Sequence, residues 1–267
     1  MTRLARRVVL VTGSTGIAAA TAERAASEGA SVFIVSRTAA HARALADRLE
    51  GAAWASADLT VEPEVDAAVT AAVERFGRID GLFSATGGSG RRFGDGPIHT
   101  LTAEAWEATA ALNLRTHVLT CARVVREMRT QPANESGTRG SVVLLGSVLA
   151  SAPVPELFGT HGYAAAKGAL SALMRTMAAT YIADRVRVNL VAPSLTATPM
   201  AARAASDPHI LEYASRKQPL AGAMLDPVEV ASAAIYFLSD ESRAVTGQTL
   251  AVDGGWSLVS TTAEPAP

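Results

Sequence analysis

The run Val8-Val9-Leu10-Val11 breaks at Thr12-Gly13-Ser14-Thr15-Gly16, and this junction constrains the fold more than any other stretch. A continuous, largely β-branched run reads as a strand buried on both faces. An Ala-rich helical pattern follows from Ile17 to Glu28 and closes on Gly29, the residue type favoured just past a helix C-terminus. Ser31 to Val35 is a second buried strand. Strand, glycine turn, helix and strand form a βαβ unit, which demands a right-handed crossover and a parallel sheet. A glycine turn in that position lets backbone N–H groups approach a pyrophosphate at the helix N-terminus. A tight turn with no ligand is the other reading.

The same alternation runs along the chain. Helical patterns cover 39–49, 62–76 (Pro63 in the first turn), 102–128 (Thr102 as N-cap), 160–183 and 227–238. Strands are read at 52–55, 79–84, 141–145, 186–192 and 248–252. The segment 199–217 reads as one or two helices interrupted by Pro208. The polar stretch 131–140 could mark a domain boundary, but the rhythm resumes beyond it. Seven strands alternating with about six helices predict one α/β domain over 1–260, a doubly wound parallel sheet with helices on both faces. The tail 261–267 reads as disordered.

Composition narrows the function classes. A hydrophobic fraction of 49% beside 18% charged residues fits a covered core. A net charge of −1 with acids and bases interspersed argues against nucleic acid or an anionic membrane as the main partner. The lone Cys121 excludes a disulfide framework or a Cys-based metal site and reads as a small core residue; no metal is expected. The first apolar run ends after six residues, too short for a signal-peptide core or a membrane span, so a cytoplasmic location is expected.

At the end of the second strand, an acid would bond a ribose 2′-hydroxyl, whereas a basic residue suits a 2′-phosphate. The chain has Ser36-Arg37 there and no acid. The planar Arg fork matches phosphate, which favours NADPH over NADH. An Arg stacked on the adenine would accept either. Asp58-Leu59 follows the third strand; Asp58 either accepts a bond from the adenine amino group or caps the next turn.

Tyr163 and Lys167 lie four residues apart, on one helix face, with only alanines between them. An ammonium beside a phenol favours phenolate and lowers its pKa. Such a phenol can give or take a proton. Lys167 and Lys217 are the only lysines in an Arg-rich chain, and a lone Lys suggests a task for a compact ammonium.

Together Thr12-Gly13…Gly16-Ile17, Asp58, Asn113, Ser147, Tyr163-x-x-x-Lys167, Asn189…Pro193, Thr198 and Gly247-Gln248…Asp253-Gly254-Gly255 resemble, in order and spacing, the short-chain dehydrogenase/reductase family over nearly the whole chain. The resemblance implies a Rossmann sheet and NAD(P)-dependent interconversion of a carbonyl and a secondary alcohol. It implies Tyr163 as general acid/base and Lys167 as the group that lowers the phenol pKa and bonds the nicotinamide ribose. Ser147 would bond the substrate oxygen, and Asn113 would hold a water joining Lys167 to solvent. It implies cofactor contacts from Gly13, Ser14, Gly16 and Ile17; from Ser36, Arg37, Asp58 and Leu59; from Ala85, Thr86 and Gly87; from Tyr163 and Lys167; and from Pro193, Thr196 and Thr198. Ser147 as a turn residue, Asn113 bonded only to backbone and Thr198 as a helix cap remain open alternatives. Relatives commonly assemble as tetramers through the two long helices, so a homo-oligomer is expected.

Three departures from the family pattern stand out. The glycine turn is one residue shorter than Thr-Gly-x-x-x-Gly-Ile-Gly, and Ala18 replaces its last glycine. The usual Asn-Asn-Ala-Gly is Ser84-Ala85-Thr86-Gly87, where Ser84 and Thr86 stand to compensate in part for two lost amides. The loop from Ser147 to Tyr163 is long, stiffened by Pro153 and Pro155, and should border the substrate. The Gly/Arg loop Gly87–Pro97 follows a strand's carboxyl end. Its Arg91 and Arg92 either hold an acidic substrate group or are solvated or paired with Asp95. His161 either lines the pocket or sits at the surface. The segment 199–220 should act as a substrate lid, with Met200, Leu211, Tyr213 and Met224 giving an apolar wall. A nucleotide-binding regulator without turnover is the alternative to an enzyme.

Overall fold

The computed structural model describes residues 2–260; the expected tail at 261–267 lies outside the described residues. Strands β1 (Val8–Thr12), β2 (Ser31–Ser36), β3 (Ala53–Ser56), β4 (Gly81–Ser84), β5 (Gly140–Leu145), β6 (Val186–Pro193) and β7 (Thr249–Val252) form one parallel sheet. Its order is β3-β2-β1-β4-β5-β6-β7. The order reverses between β1 and β4, and a crevice opens at such a switch point in open α/β sheets. Thr12 lies opposite both Val35 and Ser84, so the ends of β2, β1 and β4 come level there.

The helices are α1 (Gly16–Ser27), α2 (Ala39–Ala46), α3 (Glu62–Phe76), α4 (Ala103–Ala110), α5 (Thr116–Thr130), α6 (Pro155–Phe158), α7 (His161–Tyr181), α8 (Ala202–Ala205), α9 (Pro208–Lys217) and α10 (Pro227–Leu238). Successive strand residues point to opposite faces, and each face has its own core. Leu10, Phe33 and Val35 pack with Val65, Cys121, Leu170 and Met174 of α3, α5 and α7. Val9, Val11, Val32 and Ile34 pack with Ala22, Leu45, Val230 and Ala234 of α1, α2 and α10. Cys121 is buried, and burial pushes its thiol up to about 12, as befits a core residue. No helix is long and apolar enough to cross a membrane among the described residues.

The expected single helix over 102–128 is α4 and α5 joined by a π turn at Ala111–Arg115. Thr102 does cap it, accepting from Ala105 N at 3.2 Å. The 199–217 segment is a 3-10 turn at Pro199–Ala201 followed by α8 and α9. Pro208 opens α9 rather than interrupting it, and Asp207 caps that helix by accepting from His209 N at 3.0 Å. A capping box of Asp226 and Glu229 starts α10.

Candidate active site

A cavity of about 770 Å3 lies along the carboxyl ends of β1 to β6. Each strand delivers its next residue to the wall: Gly13, Arg37, Ala57, Ala85, Gly146 and Ser194. Every residue nominated for catalysis or cofactor binding lines it except Asn113.

The short glycine turn is firmly held. Gly13 N donates to Val35 O at 2.8 Å, and Ser14 Oγ donates to Ser36 Oγ at 2.9 Å, joining the turn to the end of β2. Gly13 has φ +102° and Gly16 φ +55°, left-handed conformations that favour glycine. A Cβ on Gly16 would lie 2.8 Å from Thr198 Cγ2, so this turn closes against the β6 side of the site. The first turn of α1 has no side-chain cap and no acid, and it borders the cavity. Backbone N–H groups at such an end suit an anion. The turn therefore fits a pyrophosphate despite being one residue short.

Arg37 is exposed at the cavity edge and forms no ion pair among the described residues, and its charge acts weakly on Asp58 across the β2–β3 side. Asp58 Oδ1 accepts from Thr60 N at 2.9 Å and Thr60 Oγ1 at 2.7 Å, so it caps the following turn. These bonds hold its carboxyl below the usual range against the opposing effect of burial. Asp58 also lines the cavity, so both of its readings are compatible.

At the end of β4, Thr12 Oγ1 accepts from Ala85 N at 2.9 Å and Thr86 N at 3.2 Å. Ser84 Oγ lies 2.8 Å from Nδ1 of His117, a fully buried residue of α5 that the sequence reading missed. Burial, and then the charge of Lys167, hold the imidazole well below its ordinary pKa, so it is neutral. Thus Ser84 does replace part of the lost amide bonding, by reaching α5. Its signal was available: His117 follows Asn113 by one helical turn.

Tyr163, in the first turn of α7, faces the Ser147 hydroxyl, which lowers its pKa; burial has the larger effect and raises it. The protein alone therefore keeps Tyr163 protonated, the reverse of the expected lowering by Lys167. Lys167 is 3% exposed. Its Nζ donates to Leu145 O at 2.7 Å and sits 5.8 Å from the Tyr163 ring centre. Burial brings its ammonium down to about 7.

Asn113 is fully buried in the π turn, behind the cavity wall. Its Oδ1 accepts from Gly88 N, and its Nδ2 donates to Gly88 O and Thr109 O, each at 3.0 Å. The side chain is bonded to backbone, as the alternative reading held. A Cβ placed on Gly87 would lie 2.9 Å from Asn113 Oδ1 and 3.5 Å from Lys167 Nζ, so only glycine fits between them.

Of the four residues expected to form an apolar wall, only Met200 reaches the cavity. Tyr213 packs edge-on against Trp256, 5.9 Å between ring centres, and Trp256 is the one that lines the wall. Leu149 and Phe158, from the long loop, line it as well. His161 is exposed and bonds Gly96 O through Nδ1 at 2.9 Å, outside the cavity.

Asp95 is the second residue missed. Its carboxylate is 4% exposed and accepts from Gly162 N and Tyr163 N, both at 2.8 Å. It caps the Tyr163 helix from a loop distant in sequence, while Thr160 makes no side-chain cap there. The alternative of an internal pair between Asp95 and the loop arginines is therefore not what its oxygens do.

Two outcomes follow from this geometry. Asp95→Ala orphans two N–H groups and should cost about 2–3 kcal/mol, read as a lower urea midpoint, with Asp95→Asn recovering part; an unchanged midpoint for the Ala variant would refute the cap. Lys167 has a folded pKa near 7, against about 10.4 unfolded, so the unfolded chain binds the extra proton between these values and stability rises with pH across that window. Below about pH 7 both states are charged and the penalty is constant. Thermal midpoints of wild type and Lys167→Met should accordingly shift relative to each other in favour of wild type from about pH 7 to about pH 9.5; a constant difference refutes the depressed pKa.

A family model described as enoyl-(acyl carrier protein) reductase matches residues 11–257. The chain is 36% identical to short-chain dehydrogenase reductase 5 of Arabidopsis thaliana over 97% of its length and 98% of that protein. It is 35% identical to the short-chain reductase protein NovJ of Streptomyces niveus, covering 93% of each. Among solved structures, 3-ketoacyl-(acyl-carrier-protein) reductase from Brucella melitensis, complexed with NADH, superposes with a TM-score of 0.84 at 26% identity, over 96% of this chain and 100% of that one. With the sheet order, the glycine turn and the Ser147–Tyr163–Lys167 grouping already in place, these matches establish that the chain belongs to the short-chain dehydrogenase/reductase family of oxidoreductases.

Proposed function

We propose that the protein interconverts a carbonyl and a secondary alcohol, preferring NADP(H), with Tyr163 as general acid/base. The observation that carries this is the convergence of Ser147, Tyr163 and Lys167 on one wall of a cavity whose other end is the glycine turn. A bound nicotinamide supplies or accepts the hydride, which leaves the protein one proton to move and one oxygen to polarise. The Ser147 hydroxyl donates to the developing oxyanion. The Tyr163 phenol gives its proton during reduction and takes it back during oxidation. Lys167 bonds the nicotinamide ribose. Asn113, by fixing Gly88, sets the narrow space beside Lys167 where a relay water is held. The remaining cofactor contacts, including Leu59, Thr86, Pro193, Thr196 and Thr198, follow the cavity wall from the glycine turn to β6.

Because burial raises the Tyr163 pKa, the acid form persists through neutral pH. Reduction should therefore hold into the alkaline range, and oxidation should climb with pH. The Tyr-x-x-x-Lys spacing favours carbonyl chemistry over reduction of a carbon–carbon double bond. The chain works as one domain with 199–220 as its lid, in the cytoplasm. The exposed Trp106 and Val118 on α4 and α5 favour a homo-oligomer built on those helices. NAD(H) remains the weaker cofactor, since Arg37 stands where an acid would bond the free ribose hydroxyl.

Tyr163→Phe should lower kcat by at least about 10²-fold on a carbonyl panel while NADPH still binds in a fluorescence titration; unchanged turnover would sink the assignment, and cofactor binding without turnover of any ketone by wild type would favour a regulator. Arg37→Ala should weaken NADPH far more than NADH, and equal losses would refute the 2′-phosphate contact.

A further inference from the structure

The cavity is asymmetric in charge. Asp58, near Arg37 at the β2–β3 side, is its only acidic lining residue among the described residues. The other side carries Arg91 and Arg92 from the Gly87–Pro97 loop and Arg203 from α8. Arg91 Nη2 and Arg203 Nη2 both donate to Leu157 O, at 3.1 and 3.2 Å. Two guanidinium groups from separate segments thus converge on a single carbonyl. Neither is in an ion pair among the described residues.

The acids nearby do not neutralise them. Asp95 is taken up by Gly162 N and Tyr163 N. Asp207 and Glu156 border a shallow groove shared with both arginines, but Asp207 caps α9 and Glu156 lies in the first turn of α6. Arg92 lies over the Phe93 ring, 4.5 Å from its centre. Burial, and next the charge of Arg203, lower the Arg91 pKa, and the charge of Asp95 opposes them only in part.

We propose that Arg91 and Arg203 bind a carboxylate carried by the substrate, so that the enzyme acts on keto or hydroxy acids. The inference rests on the carbonyl–alcohol reading above. Two planar forks suit a carboxylate, and the donors not used on Leu157 O are available to it. The wall between them and the Ser147–Tyr163 group is apolar, from Leu149, Phe158, Met200 and Trp256, and suits a hydrocarbon body. Arg91 moves with the loop that Asp95 fixes to the Tyr163 helix, and Arg203 with the segment after β6. A carboxylate held by both would join the two sides of the cavity mouth.

The test is a ladder of methyl-ketone carboxylic acids of increasing chain length, each beside its methyl ester, reduced with NADPH. At the fitting length, kcat/KM for the acid should exceed that for the ester by at least about tenfold, the worth of one charge-assisted bond pair. The ratio should fall toward one in Arg91→Gln and in Arg203→Gln, and reverse in Arg203→Glu. The ratio, not the absolute rate, is the readout, because a loop merely displaced by substitution would slow acid and ester alike. Neutral ketones reduced without any preference for acids, or a preference unmoved by the substitutions, overturns the anion site and leaves the carbonyl reading standing. If no ketone is turned over with either cofactor, the carbonyl reading fails. Calorimetry with the same keto acids then decides the site: binding weakened at least about tenfold in the double Gln variant upholds it, and binding absent or unchanged overturns it.

Discussion

The contact between the Asp95 carboxylate and the first N–H groups of α7 holds the site together. One buried acid satisfies Gly162 and Tyr163 and places negative charge at the positive end of a long helix. It also explains glycines that loop flexibility alone would not. A Cβ on Gly90 would lie 2.4 Å from Thr109 Oγ1 and 2.7 Å from Asp95, and one on Gly162 would lie 3.2 Å from Asp95 Oδ1. The loop that borders the cavity and the helix that carries Tyr163 are therefore one mechanical unit, and neither shifts without breaking charge-assisted bonds.

Burial sets the chemistry of that unit. Low-dielectric surroundings disfavour both the Tyr163 phenolate and the Lys167 ammonium, raising one pKa and lowering the other. A motif read from spacing alone suggests only the attraction between the two charges. The fold adds the larger effect, desolvation, and so favours a protonated phenol. Ser147 opposes this in part, which makes it a tuning group for the phenol. His117 adds no charge here, because burial and the nearby ammonium both keep its ring neutral.

The sheet was legible because each strand is a short apolar run bounded by a turn, and because a parallel order follows from βαβ units. Its strand residues then divide by parity, Leu10 to one core and Val9 and Val11 to the other. The cavity lining was legible because it consists of the residues that follow strand ends. The π turn at Asn113 was hidden, since one helical period looks like another when a single turn is widened. Asp95 was hidden because its partners lie in another element and no local pattern marks a cap supplied from a distance. Leu211 was assigned to the wall because apolar periodicity in a helix says which face is covered, not by what.

Two of the three places where the chain departs from its family are compensated by local bonds of a different kind. Thr12 Oγ1 gathers the N–H groups of Ala85 and Thr86, and Ser84 reaches His117, so hydroxyl and imidazole bonds hold the end of β4 where amides would. At the short glycine turn, the Ser14–Ser36 bond and the close approach of Gly16 to Thr198 keep the backbone on the cavity wall. Both repairs lie along the cavity wall that the glycine turn and the end of β4 share. The side bearing the Gly87–Pro97 loop and α8 carries three arginines and, among the described residues, no lining acid; Arg91 and Arg203 meet there on Leu157 O without an ion pair. Like charges collected at a cavity mouth cost energy unless something of opposite charge enters, so specificity belongs on that side.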